Sequence, residues 1–287
     1  MAGDLPRRLA FLGPPGTFSE QAAQLAGQDG ATLLPLASMP AVVTAVETRA
    51  ADAGVLPIEN SLEGAVSTTL DVLIHETDLR IQREIVIPIR HMLACRAGLQ
   101  LQEIAVLHTH PQPLGQSRRF VERCLPNVAT VAALSTAAAL QEALADQRPA
   151  AALTTLLAAE RAGAHLLARD VQDSAANLTR FVVLAHSDAP PTGRDKTSLA
   201  IRVRHNRAGA LHEALGLFAA ASINLTKIES RPAKGQLGDY VFLIDLEGHR
   251  RDEPVAAVLR ELERLAAWVK VFGSYVRDQG SGVRGQG

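Results

Sequence analysis

Hydrophobic positions along the chain follow two periods. Short apolar, β-branched runs at Leu9 to Leu12, Gly54 to Leu56, Ile104 to Leu107, Thr130 to Ala133 and Phe181 to Leu184 read as strands. Between them, Gln21 to Ala26, Met39 to Arg49, Leu114 to Cys124, Thr136 to Ala145 and Leu156 to Gly163 carry apolar residues at helical spacing. Strands alternating with helices predict an α/β layout. The stretch Ser187 to Lys196, SDAPPTGRDK, interrupts the pattern with two prolines, a glycine and four charged residues. With no apolar face to bury, it predicts a linker. Beyond it the order is strand (Ser198 to Val203), helix (Gly209 to Ala221), strand (Asn224 to Glu229), strand (Tyr240 to Glu247), helix (Pro254 to Trp268) and strand (Val269 to Tyr275). That is the ferredoxin-like βαββαβ order. The tail from Arg277 to Gly287 holds four glycines and no apolar periodicity, and is expected to be disordered.

At 287 residues the chain exceeds the usual single core, so two domains are expected. Its charge is balanced, 29 Lys plus Arg against 30 Asp plus Glu for a net of −1, with no run of one sign. This argues against nucleic acid or a membrane surface as partner. The apolar run Leu9 to Leu12 is too short for a signal-peptide core, and no span approaches the ~20 apolar residues of a membrane helix. Cys95 and Cys124 stand far apart without CxxC spacing. They predict reduced thiols in a cytoplasmic protein.

Five polar turns carry the candidate chemistry. Gly13-Pro14-Pro15-Gly16-Thr17-Phe18-Ser19-Glu20 follows a strand and opens a helix, so Thr17 or Ser19 can cap the helix and free N–H groups can hold an anion. It has neither the GxGxxG spacing nor the GK[ST] ending of the nucleotide fingerprints. Leu56 to Gly64, LPIENSLEG, sets Glu59, Asn60 and Ser61 at the C-terminal end of a strand, where open α/β sheets bind ligands. His110 to Ser117, HPQPLGQS, again joins strand to helix and contains Gln112. His108 and His110 alternate as metal ligands could, but no third ligand is in view. Ser135-Thr136 is a cap pair before an Ala-rich helix, and Asn177-Leu178-Thr179-Arg180-Phe181 leads into a strand. Each turn alone is an ordinary connection. Together they describe a site for a small, anionic, oxygen-rich molecule.

The segments GPPGTFSEQAA, LPIENSLEGAVSTTLDVL, HPQPLGQSRRF, STAAAL and NLTRF resemble those of prephenate dehydratases, in family order over roughly residues 8 to 185. Gly209-Ala210-Leu211 and Glu229-Ser230-Arg231-Pro232 are similar to the two phenylalanine-binding motifs of that family's C-terminal ACT domain. Ser117 stands where relatives often carry Cys, and Ala208 where Pro is common. The resemblance implies a catalytic part over 8–186, built as two α/β lobes like periplasmic binding proteins. Lobe 1 would take about 8–84 and 170–186, and lobe 2 about 85–169. A linker at 187–196 and a regulatory domain at 197–276 would follow. No chorismate-mutase-like segment precedes residue 8, which implies the monofunctional form.

The implied reaction converts prephenate to phenylpyruvate, carbon dioxide and water, without cofactor or metal. Thr17 and Ser135 would seat carboxylates, with Asn60, Ser61 and Gln112 as donors, Arg180 adding charge and Phe181 beside them. For the proton, general-acid reasoning points to Glu59, a carboxyl group, whereas the resemblance points to Thr179. Phenylalanine would be the effector and the protein a homodimer or homotetramer. Two other readings stay open: arogenate dehydratase, and a non-catalytic amino-acid sensor.

Overall fold

The computed structural model describes residues 6–204, 207–233 and 239–278. The expected disordered tail lies outside the described residues from 279 onward. In chain order come β1 (Arg8–Leu12), α1 (Phe18–Ala26), β2 (Thr32–Leu36), α2 (Met39–Glu47), β3 (Ala53–Asn60), β4 (Gly64–Ala65), α3 (Ser67–Asp71) and β5 (Arg80–Pro88). Then follow β6 (Met92–Cys95), β7 (Val106–Thr109), α4 (Pro111–Gln116), α5 (Arg118–Cys124), β8 (Ala129–Ala132), α6 (Thr136–Ala145), β9 (Ala150–Thr154), α7 (Leu156–Ala162) and β10 (His165–Ala168). The chain ends with β11 (Leu178–Ala185), β12 (Asp195–Val203), α8 (Ala210–Ala220), β13 (Leu225–Pro232), β14 (Tyr240–Glu247), α9 (Glu253–Leu265) and β15 (Ala266–Val276).

These elements form three sheets. The first has the order β2-β1-β3-β11-β5, with β4 added beside β3. The second has the order β10-β6-β9-β7-β8, and the third β13-β14-β12-β15. The chain therefore leaves the first sheet after Pro88, enters the second at Met92, and returns between Ala168 and Leu178. Two crossings put residues far apart in sequence on facing walls. The third sheet, with α8 and α9 on one side, has the strand order of a ferredoxin-like unit.

Local chemistry sets the helix ends. Ser38, Ser135 and Thr155 each accept a backbone N–H three residues on, at 3.2, 3.0 and 3.0 Å, and so start α2, α6 and α7. Gly163 closes α7 in the left-handed conformation, φ 61°. The helix expected over Leu114 to Cys124 is instead two. Pro111 and Pro113 fit a first helical turn, so α4 begins early, and Ser117 at φ −121° breaks it from α5.

The polar stretch at 187–196 is held by its own charges. Asp188 pairs with Arg250 at 2.6 Å, and Asp195 accepts from the backbone of Thr192 and Gly193 at 2.7 and 3.0 Å. Strand β12 already begins at Asp195. Ala200, Val241, Leu243, Phe272 and Tyr275 of the third sheet join one buried cluster with Leu56, Leu73, Ile81 and Val182 of the first lobe. The C-terminal unit is thus packed onto the first lobe by continuous apolar burial. At that seam Gly273, φ +152°, lies so close to the backbone of Ile81 that a Cβ would overlap it. Gly273→Ala should therefore destabilise the protein by about 1 to 3 kcal/mol, seen as a lower midpoint in denaturant unfolding. An unchanged midpoint would mean that the seam yields freely.

Candidate active site

Between the first and second lobes lies a cavity of about 580 Å³. Thr17, Asn60 and Thr179 line it from the first lobe, and Gln112, Gln116 and Ser135 from the second. The lobes also touch behind it. Gly16, φ +88°, would place a Cβ against Ala158 and Ala137, its carbonyl accepts from Thr155 Oγ1 at 2.6 Å, and Glu20 pairs with Arg161 at 2.8 Å. The glycine is needed there for the left-handed turn and the close approach.

The floor of the cavity is a strand pair. On antiparallel β3 and β11, Thr179 stands opposite Asn60, and Arg180 opposite Glu59. The register then shifts, with Phe181 opposite Pro57, so a bulge at Ile58 lies directly beside the site. Because strand side chains alternate, Asn60 and Thr179 face the cavity while Glu59 and Arg180 face the C-terminal unit.

A hydrogen-bond chain gives this floor a direction. Glu63 is a carboxylate and can only accept. Its two oxygens take bonds from Gln112 Nε2 and Gln116 Nε2, both at 2.7 Å. Gln116 Oε1 is therefore the accepting end, and it receives Asn177 Nδ2 and His91 Nε2, both at 2.9 Å. Asn177 Oδ1 then accepts from Asn60 Nδ2 at 2.8 Å, and Asn60 Nδ2 also donates to Thr179 Oγ1 at 2.9 Å. Asn60 Oδ1 takes the backbone N–H groups of Leu62 and Glu63 at 2.9 and 3.1 Å, which fixes its amide the same way round. With Thr179 Oγ1 already accepting, its own O–H is left to donate into the cavity.

The anion-binding features sit where capping puts them. Thr17 starts α1 and Ser135 starts α6, so both cavity walls present helix N-termini. His91 is buried against Phe18, with ring centroids 5.8 Å apart, and burial pulls its pKa below the ordinary imidazole value despite its bond to Gln116. It is therefore neutral at pH 7 and serves as a donor to Gln116.

Several expected site residues lie elsewhere. Glu59 does not line the cavity. Its carboxylate binds Arg180 at 2.8 Å and Lys227 at 3.0 Å. Burial opposes its charge, but the charges of Arg180 and Lys227 prevail and hold its pKa below the usual carboxylate value. Held by these two cations, the carboxyl is directed away from the cavity. Arg180 is turned the same way, bound to Glu59, Glu84 and Asp245. Phe181 is buried in the first-lobe core. Ser61 donates to the carbonyl of Ala176 and accepts from the N–H of Leu178, both at 2.9 Å, tying two loops together without lining the cavity. His108 pairs with Asp146 and Glu142 at 3.0 and 3.3 Å, away from the cavity. His110, by contrast, does line the cavity, and its Nδ1 accepts from the Gln112 N–H to cap α4. Among the described residues no group of three or more His, Cys, Asp or Glu could hold a metal ion.

The sequence reading missed Glu63, His91, Gln116 and Asn177. Gln116 and Asn177 stood within motifs already singled out, and the period of the HPQPLGQS turn could have placed Gln116 beside Gln112, one helical turn away. His91 gave no signal, because the strands on either side of it were not recognised.

In the C-terminal unit, Gly209 caps α8 at φ +85° with open space around it. A cavity of about 340 Å³ beside Ala210 is lined by Arg204, Arg207, Glu213 and Arg264. Glu229 to Pro232 lie on edge strand β13 and do not line it. Leu211 follows in the first turn of α8.

The model of the prephenate dehydratase family matches residues 9–189, and that of the ACT domain residues 197–264. The chain is 44% identical over 269 residues to a bifunctional chorismate mutase/prephenate dehydratase of Aquifex aeolicus, covering 93% of this chain and 73% of that protein. Among solved structures it is similar to a prephenate dehydratase of Arthrobacter aurescens in complex with L-Phe, with 39% identity, a TM-score of 0.87, and 94% of this chain and 90% of that one covered. It also resembles GqqA, described as a novel type of quorum quenching acylase, at 33% identity and a TM-score of 0.85, over 95% of this chain and 99% of that one. The resemblance read from the five turns and the two C-terminal motifs thus holds over the whole fold, and the chain belongs to the prephenate dehydratase family.

Proposed function

We propose that this protein is a prephenate dehydratase regulated by phenylalanine. The observation that carries the reading is the Asn60–Thr179 pair on the cavity floor, where Thr179 Oγ1 accepts from Asn60 and its own O–H remains to donate into the cavity. Prephenate bears a ring carboxylate, a pyruvyl carboxylate and a ring hydroxyl. As the ring carboxylate leaves as carbon dioxide, its bonding pair enters the ring, the double bonds shift, and the C–O bond breaks. The departing oxygen takes a proton through the Thr179 hydroxyl, which is resupplied from solvent, and leaves as water. Thr179 donates its hydrogen bond to that oxygen, and the bond strengthens as negative charge gathers there. The N-terminus of α1 at Thr17 and that of α6 at Ser135, with the amides of Gln112 and Gln116, are suited to the carboxylates. Leu12, Phe18 and Ile89 offer the departing carboxylate poor solvation.

Acylase chemistry, which GqqA's description raises, calls for an activated nucleophile. Five hydroxyl side chains line the cavity, Thr17, Ser19, Ser135, Thr136 and Thr179, and among the described residues none is hydrogen-bonded to a histidine: Thr17 donates to the carbonyl of Pro14, Ser135 caps α6, and Thr179 is held by Asn60.

Phenylalanine, the ligand of the Arthrobacter aurescens structure, is the effector we assign to the C-terminal unit, through Gly209 to Leu211 and Glu229 to Pro232. We place the domains at 8–186 and 197–276 and the protein in the cytoplasm, in keeping with the two free cysteines. Among the described residues no helix is long and apolar enough to cross a membrane. Strand β13 is a sheet edge with Ile228 half exposed, which favours pairing with a second copy. Light scattering at micromolar protein should accordingly give a homodimer or homotetramer, and a monomeric mass would count against this arrangement.

Thr179→Ala should lower prephenate turnover by about a hundredfold, the worth of one preorganised bond near 3 kcal/mol, with little change in melting temperature. Near-wild-type turnover would remove Thr179 from its role. Glu59→Gln is the paired test. Loss of a general acid costs about 10²- to 10⁴-fold, whereas this variant should lose much less and keep the wild-type pH limbs. Its effect belongs to stability instead. The folded pKa of Glu59 is depressed, so its contribution is present above the unfolded value of about 4.3 and is lost as pH falls through the lower folded value. Denaturant unfolding of the wild type should show this acid loss, and Glu59→Gln should show less of it.

A further inference from the structure

The charged residues beneath the catalytic strand pair belong to one cluster spanning the C-terminal unit and the first lobe. Lys227 on β13 reaches Glu59 at 3.0 Å, and Asp245 on β14 reaches Arg180 at 2.9 Å. Lys227 and Asp245 stand opposite each other in the β13–β14 register, as Glu59 and Arg180 do in β3–β11. Two cross-strand pairs therefore face one another across the seam. Glu84 accepts from Arg180 at 3.4 Å and from Lys196 at 2.9 Å, so that charges of both signs from the two units interlock at the seam.

Such a cluster is a poor way to gain stability, since apolar residues of similar size would do as well without the cost of burying charge. What it supplies is position. Glu59 and Arg180 immediately neighbour Asn60 and Thr179 on the same two strands, with their side chains on the opposite face. A shift of β13 or β14 against the first lobe pulls on these two anchors, and the strands carry it to the catalytic pair one residue away. Strand β13 is also the strand of Glu229 and Arg231, which continue the row on its seam-facing side. Glu229 binds Lys227 at 3.2 Å, and Arg231 binds Asp71 of the first lobe at 3.2 Å.

We propose that Lys227 is a positioning residue for the dehydratase reaction, contributed by the C-terminal domain, and that its bond to Glu59 carries the effector's influence from β13 to Asn60 and Thr179. The proposal deepens the functional reading above and rests on it for the identity of substrate and effector. Lys270 provides the comparison. It joins the same two units, donating to the carbonyls of Ile74 and Thr77 at 3.3 and 2.6 Å, but has no bond to the strand pair.

The test uses the full chain and the variants Lys227→Met, Lys227→Arg and Lys270→Met. Prephenate kinetics with and without phenylalanine, calorimetry of phenylalanine binding, and amide hydrogen exchange at residues 59–61 and 178–180 are measured for each. Lys227→Met should bind phenylalanine like the wild type yet show a phenylalanine effect on kinetics smaller by about 2- to 30-fold. It should also exchange faster at the strand pair. Lys227→Arg should restore most of both, and Lys270→Met should lose melting temperature while keeping both. Unchanged coupling and exchange in Lys227→Met, or the same changes in Lys270→Met, would overturn the proposal. If the wild type turns over no prephenate, the functional reading fails instead, and exchange at the strand pair alone then decides whether Lys227 positions it.

Discussion

The pairing of β3 with β11 is the constraint on which the rest depends. These strands are 119 or more residues apart where they pair, so their junction exists only once the second lobe has been inserted between them. Strand alternation then divides their residues. Asn60 and Thr179 belong to the cavity, and Glu59 and Arg180 to the seam. One strand pair thereby serves as the floor of a reaction site and as the docking surface of a regulatory domain. The bulge at Ile58 lies where those two demands meet.

Direction matters as much as position in this floor. A threonine beside an asparagine could donate or accept, and only donation helps a leaving hydroxyl. The choice is made at Glu63, an obligate acceptor, and is passed through Gln116 and Asn177 to Asn60, each amide leaving the next a single role. Neutral His91 adds a second donor at Gln116 and reinforces the same sense. Gln116, Asn177 and Asn60 are each bonded through both amide atoms, which holds the chain rigid as a preorganised donor requires, while the buried Nδ1 of His91 has no hydrogen-bond partner among the described residues.

Much of the fold was legible in the sequence. The alternation of apolar runs gave β1, β3, β7, β8, β11 and most helices but not β2 or β9, and the C-terminal order of elements was read in full with ends off by up to three residues, the helix expected to reach Trp268 stopping at Leu265 where β15 takes over. Strand β5 was hidden because Arg80, Arg83 and Glu84 interrupt its apolar pattern, and Glu84 is buried there only because Lys196 and Arg180 arrive from elsewhere. Strands β6 and β10, MLAC and HLLA, contain no Val, Ile, Thr, Phe, Tyr or Trp, so they lack the strand-forming residues that marked β8, which is equally short. The site was legible as a set of turns, and five of its residues, Thr17, Asn60, Gln112, Ser135 and Thr179, do meet at the cavity. What one sequence could not show was which side of a strand each neighbour faces across a bulge. Glu59 was placed in the site as a carboxyl able to act as a general acid and Arg180 as a source of charge, yet strand alternation turns both away from the cavity.

The cavity holds a further physical lesson in its charge. Among the described residues no Lys or Arg lines it, although the proposed substrate carries two carboxylates. Positive charge is instead offered as helix N-termini and amide donors. A guanidinium clasping the ring carboxylate would hold it as an anion, and that interaction would weaken as the group becomes neutral carbon dioxide. Binding of that kind stabilises the bound substrate more than the transition state and slows the step. Partial charges on apolar walls hold the same group less tightly, and in the proposed reaction the directed donor Thr179 meets the oxygen on which charge grows. The cations this strand pair does carry, Arg180 and Lys227, are kept on its other face, where they fix its position without stabilising the carboxylate that must leave.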